Sequence, residues 1–88
     1  MKELSEILGI NEEDLKELVK KIPTPKAKKV IALRYGLNGE KELSLSEIAE
    51  QMRTTPERIR QIEAQALHFL KYNAPKKSII EKIKDIFK

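Results

Sequence analysis

The sequence predicts an all-α protein, a helical bundle with an amphipathic helix at its C-terminus. Apolar residues recur at spacings of three and four along most of the chain, as they do on the buried side of a helix. No run of alternating β-branched residues indicates a strand. Residues typical of helix starts and ends divide the apolar pattern into short segments, each long enough for one helix.

Two helices are predicted in an N-terminal segment, residues 1–22. The first covers Lys2–Leu8, and Gly9 ends it because glycine readily takes a positive φ. Its expected apolar face comprises Leu4, Ile7 and Leu8. Asn11 is a suitable N-cap for the second helix, and the acidic residues after it favour the positive end of the helix dipole. The apolar stripe of the second helix comprises Leu15, Leu18, Val19 and Ile22, and Pro23 stops it.

The third helix is predicted from a threonine–proline start. Thr24 is the N-cap, and Pro25 occupies the first helical position. The helix runs to about Tyr35, and Gly36 closes it. Its residues Ala27, Val30, Ile31 and Leu33 or Arg34 are expected to divide between the core and the surface. Asn38-Gly39 marks a turn, and a polar loop follows.

A short helix and a longer helix follow the loop. Ser44 and Glu47 have the spacing of a capping box, which predicts the start of the short helix. That helix presents Leu45, Ile48, Ala49 and Met52. Thr55 and Pro56 repeat the cap-and-proline start for the longer helix, which runs to about Tyr72. Its expected buried face comprises Ile59, Ile62, Ala66, Leu67 and Leu70.

The chain is predicted to divide into three parts. Asn73-Ala74-Pro75 breaks the longer helix, and an amphipathic helix over about Lys76–Phe87 follows. We therefore expect an N-terminal helical segment at 1–22, a central domain at 23–73, and a C-terminal helix at 74–88 packed on that domain. The apolar side of the last helix comprises Ile79, Ile80, Ile83, Ile86 and Phe87.

Composition excludes several classes of function. The 88 residues contain no cysteine and one histidine, which excludes disulfides, cysteine zinc sites and thiolate nucleophiles. No nucleophile–base pair or glycine-rich phosphate loop is present, so we expect no catalytic residue, no metal site and no cofactor. No apolar run approaches the roughly 18 residues of a membrane span, and no signal peptide is recognisable. We expect a cytoplasmic protein without a membrane partner.

The charge is unevenly distributed. The net charge is +4, and residues 53–88 hold 9 Lys and Arg against 4 Asp and Glu. A basic excess on one part of a chain favours a polyanionic partner such as nucleic acid. A lysine-rich solvated surface is the alternative explanation.

The segment Ser44–Leu70 has the outline of a helix-turn-helix, since a tight turn joins a short helix to a longer one. The outward positions of the longer helix comprise Glu57, Arg58, Arg60, Gln61, Ala64, Gln65 and His68. Glutamine pairs with adenine, glutamate accepts from cytosine, and arginine binds guanine or phosphate. The longer helix therefore has suitable chemistry for recognition in a DNA major groove.

The run from Thr55 to Leu67, TPERIRQIEAQAL, closely resembles the signature of domain 4 (region 4) of primary-type bacterial RNA polymerase sigma factors. The upstream blocks Ala32–Leu37 (ALRYGL) and Ser44–Ala49 (SLSEIA) match the same family in order and spacing. The resemblance covers about Ile22 to Ile83, most of the chain.

The resemblance implies a promoter-recognition module. In this family the domain is all-helical, binds the −35 element of double-stranded promoter DNA through the helix-turn-helix, and docks on the flap of the RNA polymerase β subunit. An anti-sigma factor or an activator is a further implied partner. The implied flap groove involves the helices around Val30–Leu37 and the C-terminal helix. The implied DNA-binding residues are Lys26, Arg34, Leu45, Thr55, Pro56, Glu57, Arg58, Arg60, Gln61 and Gln65.

The chain departs from the family pattern at cationic positions. Pro56 stands where an arginine that reads guanine is typical, Gln65 replaces a lysine, and His68-Phe69 replaces a basic pair. Each lost contact removes affinity or discrimination. We therefore expect altered or weakened recognition of the −35 element.

Two other interpretations are compatible with the sequence. In one, the protein is sigma-like and binds polymerase or a regulator, with weakened or no sequence-specific DNA binding. In the other, it is an unrelated helix-turn-helix regulator that dimerises through its last helix, residues 79–87, on a palindromic site.

Overall fold

The computed structural model describes residues 2–37 and 39–74. Of this part of the chain 72% is helical, in five helices and without a strand, which confirms the predicted all-α class. The helices are α1 (Lys2–Leu8), α2 (Glu12–Lys20), α3 (Pro25–Tyr35), α4 (Leu45–Gln51) and α5 (Pro56–Asn73). The predicted turn residue Asn38 and the predicted helix at Lys76–Phe87 lie outside the described residues.

The predicted starts of α2 and α4 are confirmed by their hydrogen bonds. Asn11 Oδ1 accepts from the backbone N–H of Asp14 at 2.7 Å. Ser44 Oγ accepts from the N–H of Glu47 at 3.1 Å, while Glu47 Oε1 accepts from the N–H of Ser44 at 3.0 Å. Both donors of this capping box would otherwise lack a partner within the helix.

The two threonine–proline starts differ in their caps. Thr55 Oγ1 accepts from the N–H of Arg58 at 3.2 Å, so the α5 cap is complete. Thr24 occupies the N-cap position of α3 with extended backbone, but its side chain makes no capping hydrogen bond. Pro25 at the first helical position fixes φ there, so α3 begins at the predicted residue without the bond.

Three helices end with the same backbone arrangement, in which one residue turns left-handed and the next N–H reaches back across the final turn. The left-handed residues are Gly9 (φ 70°), Gly36 (φ 60°) and Arg53 (φ 56°). The hydrogen bonds join Ile10 N to Ser5 O at 3.1 Å, Leu37 N to Ala32 O at 3.1 Å, and Thr54 N to Ala49 O at 2.9 Å. Arg53 is the only residue of the described chain that adopts positive φ without being glycine.

The helix α5 lies at the centre of the core and packs mainly against α3 and α4. Its buried residues are Ile59, Ile62, Ala66 and Leu70. The same core includes Leu4 of α1 and Leu15 of α2, both with no exposed surface. The helices of the N-terminal segment therefore share a core with the helices that follow them.

Two apolar residues lie differently from their predicted positions. Ile7 was expected on the inner face of α1 but is 69% exposed, because Leu4 and Ser5 turn toward the core instead. Leu67 was expected in the buried face of α5 but is half-buried at the edge of the core. No helix among the described residues has the length and apolar character needed to cross a bilayer.

Candidate nucleic-acid interface

The helices α4 and α5 form the predicted helix-turn-helix. Residues 52–55 connect them, and the left-handed Arg53 reverses the chain directly after α4. Ala49 and Ile48 of α4 are almost fully buried, as is Ile59 near the start of α5. The small side chain of Ala49 permits close approach of the two helices. Packing on one side thus leaves the first half of α5 exposed on the other.

The exposed side of α5 carries most of the predicted DNA-binding residues, and we call it the polar face. Its members are Thr55, Pro56, Glu57, Arg58, Arg60, Gln61 and Gln65, all of them exposed. The sequence periodicity identified the positions from Glu57 onward, because every third or fourth residue of α5 is committed to the core, whereas Thr55 and Pro56 were identified from the helix start and the family resemblance.

Glu57 and Arg60 form a bidentate ion pair on the polar face. Arg60 Nε donates to Glu57 Oε2 at 3.0 Å, and Arg60 Nη2 donates to Oε1 of the same carboxylate. The hydrogen bond and charge of Arg60 lower the pKa of Glu57, and the same contact raises the pKa of Arg60. Both groups therefore stay charged at neutral pH, and the guanidinium is held along the helix surface.

Arg58 and Gln61 form a second contact along the polar face. Arg58 Nη1 donates to Gln61 Oε1 at 3.4 Å. When the amide oxygen is occupied in this way, the amide NH₂ of Gln61 remains its outward hydrogen-bonding group. Both arginines of the first two turns are thus oriented by a neighbour three residues away.

The other predicted contact residues lie away from the polar face. Lys26 is exposed in the first turn of α3, and Leu45 is half-buried at the first position of α4. Each lies beside backbone N–H groups that begin a helix, where the dipole favours a negative group such as phosphate.

Arg34 is engaged inside the domain. Its Nε donates to Glu63 Oε2 at 3.1 Å, and its Nη1 donates to the carbonyl oxygen of Leu43 at 3.2 Å. The exposed fractions of the Arg34 and Glu63 side chains are 36% and 14%. Burial, and next the nearby Glu63 carboxylate, raise the pKa of Tyr35 beside the pair. Sequence reasoning identified Arg34 but missed Glu63, whose partner lies 29 residues away.

Two aromatic side chains extend the exposed surface of α5 toward its C-terminus. His68 is exposed as predicted, and its ring stacks on that of Tyr72 with centroids 6.4 Å apart and an interplanar angle of 25°. Tyr72 is 77% exposed. Phe69 instead packs against the core.

The segment expected to line a flap groove is divided between core and surface. Val30 and Ile31 have no exposed surface and belong to the core. The half-buried residues of the segment are Ala32, Leu33, Arg34, Tyr35, Gly36 and Leu37. Only this second set is accessible to a partner, and the C-terminal helix expected to complete the groove lies outside the described residues.

The described residues contain no group of three or more His, Cys, Asp or Glu side chains placed to hold a metal ion. Every buried side-chain nitrogen or oxygen atom in this part of the chain has a hydrogen-bond partner.

The chain is similar to RNA polymerase sigma factors. It is 48% identical over 50 residues to the chloroplastic RNA polymerase sigma factor sigF of Arabidopsis thaliana, covering 57% of this chain and 9% of that protein. It is 44% identical over 59 residues to the RNA polymerase sigma-B factor of Nostoc sp., covering 67% and 18%. For the RNA polymerase sigma factor SigA of Clostridium acetobutylicum the identity is 43% over 56 residues, covering 64% and 15%.

The matched part of the chain thus spans less than a fifth of the length of these relatives. No solved structure matches the chain. The family model described as "Sigma-70, region 4" matches residues 24–71, which include α3, α4 and all but the end of α5. That family is one of DNA-binding domains and not of enzymes. With more than half of its residues in this match, including the whole helix-turn-helix, the chain belongs to the sigma-70 region 4 family.

Proposed function

We propose that the chain is a promoter-recognition module of a sigma factor. In this function α5 enters the major groove of the −35 element, and the accessible side of α3 docks on the flap of the RNA polymerase β subunit. The observation that carries the proposal is the polar face of α5, exposed along its length and supported by α4 within the matched residues 24–71. Central residues 23–73 form the recognition domain in this proposal, with 1–22 and 74–88 as flanking helical parts.

Six of the ten predicted contact residues have a defined chemical role in this proposal. Arg58, Arg60 and Gln61 supply hydrogen-bond donors to base edges and phosphates, and Glu57 accepts from cytosine. Phosphates lie against the first turns of α3 and α4, at Lys26 and Leu45. The predicted contacts of Arg34, Thr55, Pro56 and Gln65 with DNA remain part of the proposed interface.

Binding of the 88-residue protein to duplex DNA tests the recognition step. Fluorescence anisotropy would compare a duplex containing a −35 element with a scrambled duplex of the same composition, at several salt concentrations. We expect tighter binding to the −35 duplex and a fall in log K with log salt. Gln61→Ala should reduce the preference, whereas Gln51→Ala at the end of α4 serves as a matched control. Equal affinity for both duplexes would refute specific recognition.

A second candidate function is binding to polymerase or a regulator with weakened or no sequence-specific DNA binding. The observation that favours it is the loss of cations on the polar face, where Pro56 and Gln65 are both exposed and neutral. The engagement of Arg60 by Glu57 further reduces the positive charge offered to DNA. Capture of a β-flap fragment by a protein that shows no preference between duplexes would select this function.

A further inference from the structure

A cleft of about 450 Å³ lies between α2 and α3, away from the polar face of α5. Its lining residues are Lys16, Val19, Lys20, Lys28, Ala32 and Leu37. Two of the lysines belong to α2, outside the residues 24–71 that the family model matches. A volume of this size lies within the range of about 300–1,000 Å³ typical of ligand sites.

The floor of the cleft is apolar. Val19 is 6% exposed, and Ala32 and Leu37 are half-buried around it. Such a floor gains free energy when an apolar side chain displaces water from it. A fully hydrated ligand, such as a phosphate group alone, would leave that surface uncovered.

The rim of the cleft is positively charged. The ammonium groups of Lys16 and Lys28 have no hydrogen-bond or ion-pair partner among residues 2–37 and 39–74. Lys20 pairs with Glu17 at 3.1 Å, but both side chains are about 70% exposed, so the pair is weakly held and exchangeable. Three cations therefore surround an apolar floor, and two of them form no ion pair within the described part of the chain.

We propose that this cleft is a docking site for an acidic amphipathic helix of a partner protein. An apolar side chain of that helix enters the floor, and carboxylates one turn to either side pair with the rim lysines. The C-terminal tail of this chain is a poor occupant on charge, since residues 75–88 hold 5 Lys against 2 acidic residues. Duplex DNA matches the charge but presents no apolar group to the floor at its phosphate backbone.

This inference rests on the proposed docking to polymerase, because Ala32 and Leu37 line the cleft and also belong to the side of α3 proposed to bind the flap. It adds that the lysines of α2 and α3 select the charge of the docking segment. Recognition of a promoter by α5 uses none of the cleft residues.

Two synthetic peptides test the selection of charge. Both are 16-residue amphipathic helices with leucine at positions i, i+3, i+4 and i+7, flanked in one by glutamate and in the other by glutamine. Titration of the 88-residue protein by anisotropy should show at least about tenfold tighter binding of the glutamate peptide at low salt. Chemical-shift changes should centre on Val19, Ala32 and Leu37. Equal binding, absent binding, or shifts centred elsewhere would overturn the proposal.

Protein variants provide the matched comparison. The double substitution Lys16→Gln and Lys28→Gln should weaken the glutamate peptide about fivefold to tenfold and leave the glutamine peptide unchanged. Lys29→Gln removes an exposed lysine of α3 that does not line the cleft, so binding should stay within about twofold of wild type. If the double variant loses binding of both peptides, or if Lys29→Gln weakens the glutamate peptide equally, the rim lysines do not select the charge of the peptide.

The same chemical-shift titrations distinguish the proposed helix from other occupants of the cleft, and a flap fragment tests the proposed function separately. Shift changes at the cleft caused by dilution of the protein alone would identify a second copy as the occupant, and changes caused by duplex DNA would identify nucleic acid. Either result overturns the proposal. If the protein binds a flap fragment but does not prefer the glutamate peptide to the glutamine peptide, the proposed function stands and this inference is refuted. If the protein prefers the glutamate peptide but does not bind the flap fragment, this inference stands and the proposed flap docking is refuted.

Discussion

Arg34 and Glu63 are joined by a hydrogen-bonded ion pair that links α3 to α5. The guanidinium Nε lies 3.1 Å from the carboxylate oxygen, and the same side chain also binds the carbonyl of Leu43 in the loop before α4. Arg34 thus connects α3 to α5 and to the loop that precedes α4. Because α5 carries the polar face, this connection fixes the helix that presents the proposed DNA contacts.

The Arg34–Glu63 pair should contribute measurably to stability. Arg34→Met leaves the mostly buried carboxylate of Glu63 without its cation, so we expect the free energy of unfolding to fall by about 1–2 kcal/mol. Glu63→Gln should reduce it less, because the amide oxygen still accepts from Arg34. Urea unfolding measures both. Lys20→Met, which removes a surface pair, should change stability by less than about 0.5 kcal/mol.

The same variants separate a structural role of Arg34 from a DNA contact. If Arg34 contacts the DNA backbone as proposed, Arg34→Met should weaken binding to both duplexes more than Glu63→Gln does, and should flatten the salt dependence. An identical effect of the two variants on DNA binding, after correction for their folded fractions, would remove Arg34 from the interface.

Gly36 should be much less tolerant of substitution than Gly9. Both have left-handed φ, where alanine costs roughly 1–2 kcal/mol. A Cβ at Gly36 would also lie 2.5 Å from the carbonyl oxygen of Glu40, whereas within the described residues no atom other than those of its chain neighbours lies within 4 Å of a Cβ at Gly9. We expect Gly36→Ala to reduce the free energy of unfolding by at least about 1 kcal/mol more than Gly9→Ala. Equal losses would mean that the close approach of Glu40 relaxes freely.

The capping box at Ser44 should make stability depend on pH. The backbone N–H and then the side chain of Ser44 hold the pKa of Glu47 below its ordinary value of 4.5. A carboxyl whose pKa is lower in the folded state stabilises it above the unfolded pKa and loses this effect as pH falls through the lowered value. The stability difference between wild type and Glu47→Gln should therefore be constant near neutral pH and shrink in acid.

Removal of the Ser44 hydroxyl gives the matching thermodynamic measurement. Ser44→Ala should reduce the free energy of unfolding by about 1 kcal/mol at neutral pH. Ser46→Ala, at an exposed position within α4, provides the control, because alanine is a good helix former. A Ser44→Ala loss no larger than that of Ser46→Ala would contradict the observed cap.

Pro56→Arg should strengthen specific DNA recognition. The position is exposed at the start of α5, and the cap from Thr55 to the N–H of Arg58 does not depend on proline. An arginine bidentate to guanine contributes about 1–3 kcal/mol of discrimination, so the preference for a −35 duplex should rise about fivefold to a hundredfold. Pro56→Ala controls for the loss of proline. An equal gain on the scrambled duplex would indicate a phosphate contact instead.

Glu57→Gln should strengthen binding to DNA of any sequence and reduce the preference for the −35 duplex. The substitution removes a negative charge from the polar face and replaces the bidentate ion pair with Arg60 by a single neutral amide acceptor, so the guanidinium is held less tightly. We expect tighter binding to the scrambled duplex, a steeper salt dependence by up to about 0.9 in log–log slope, and a smaller preference for the −35 duplex. Glu50→Gln removes the same charge from an exposed position of α4 and should affect these quantities less.

The sequence was sufficient for the features that depend on nearby residues. Ser44 and Thr55 begin helices through contacts three residues away, and Gly36 ends one through its own backbone freedom, so their positions were predictable. The exposure of the polar-face residues from Glu57 to Gln65 followed from the helical periodicity of the apolar residues between them. Glu63 was missed because its partner lies 29 residues away on another helix.

The orientation of whole helices could not be predicted from the sequence. The apolar pattern of α1 is too short to fix its rotation, so Ile7 was assigned inward although it is 69% exposed. The cleft between α2 and α3 requires two helices to be placed side by side, and no local pattern specifies its width. Its rim lysines belong to no sequence motif that would mark them as a site.

Arg53 occupies a backbone position at which the two comparable helix ends have glycine. A left-handed conformation costs an L-residue with a side chain roughly 1–2 kcal/mol, a substantial fraction of the roughly 5–15 kcal/mol that holds a domain folded. The domain is therefore less stable than the same fold would be with a glycine at this position. In a cell, a difference of this size changes the fraction of unfolded chains exposed to proteases, so the turn of the helix-turn-helix also influences how long the protein survives.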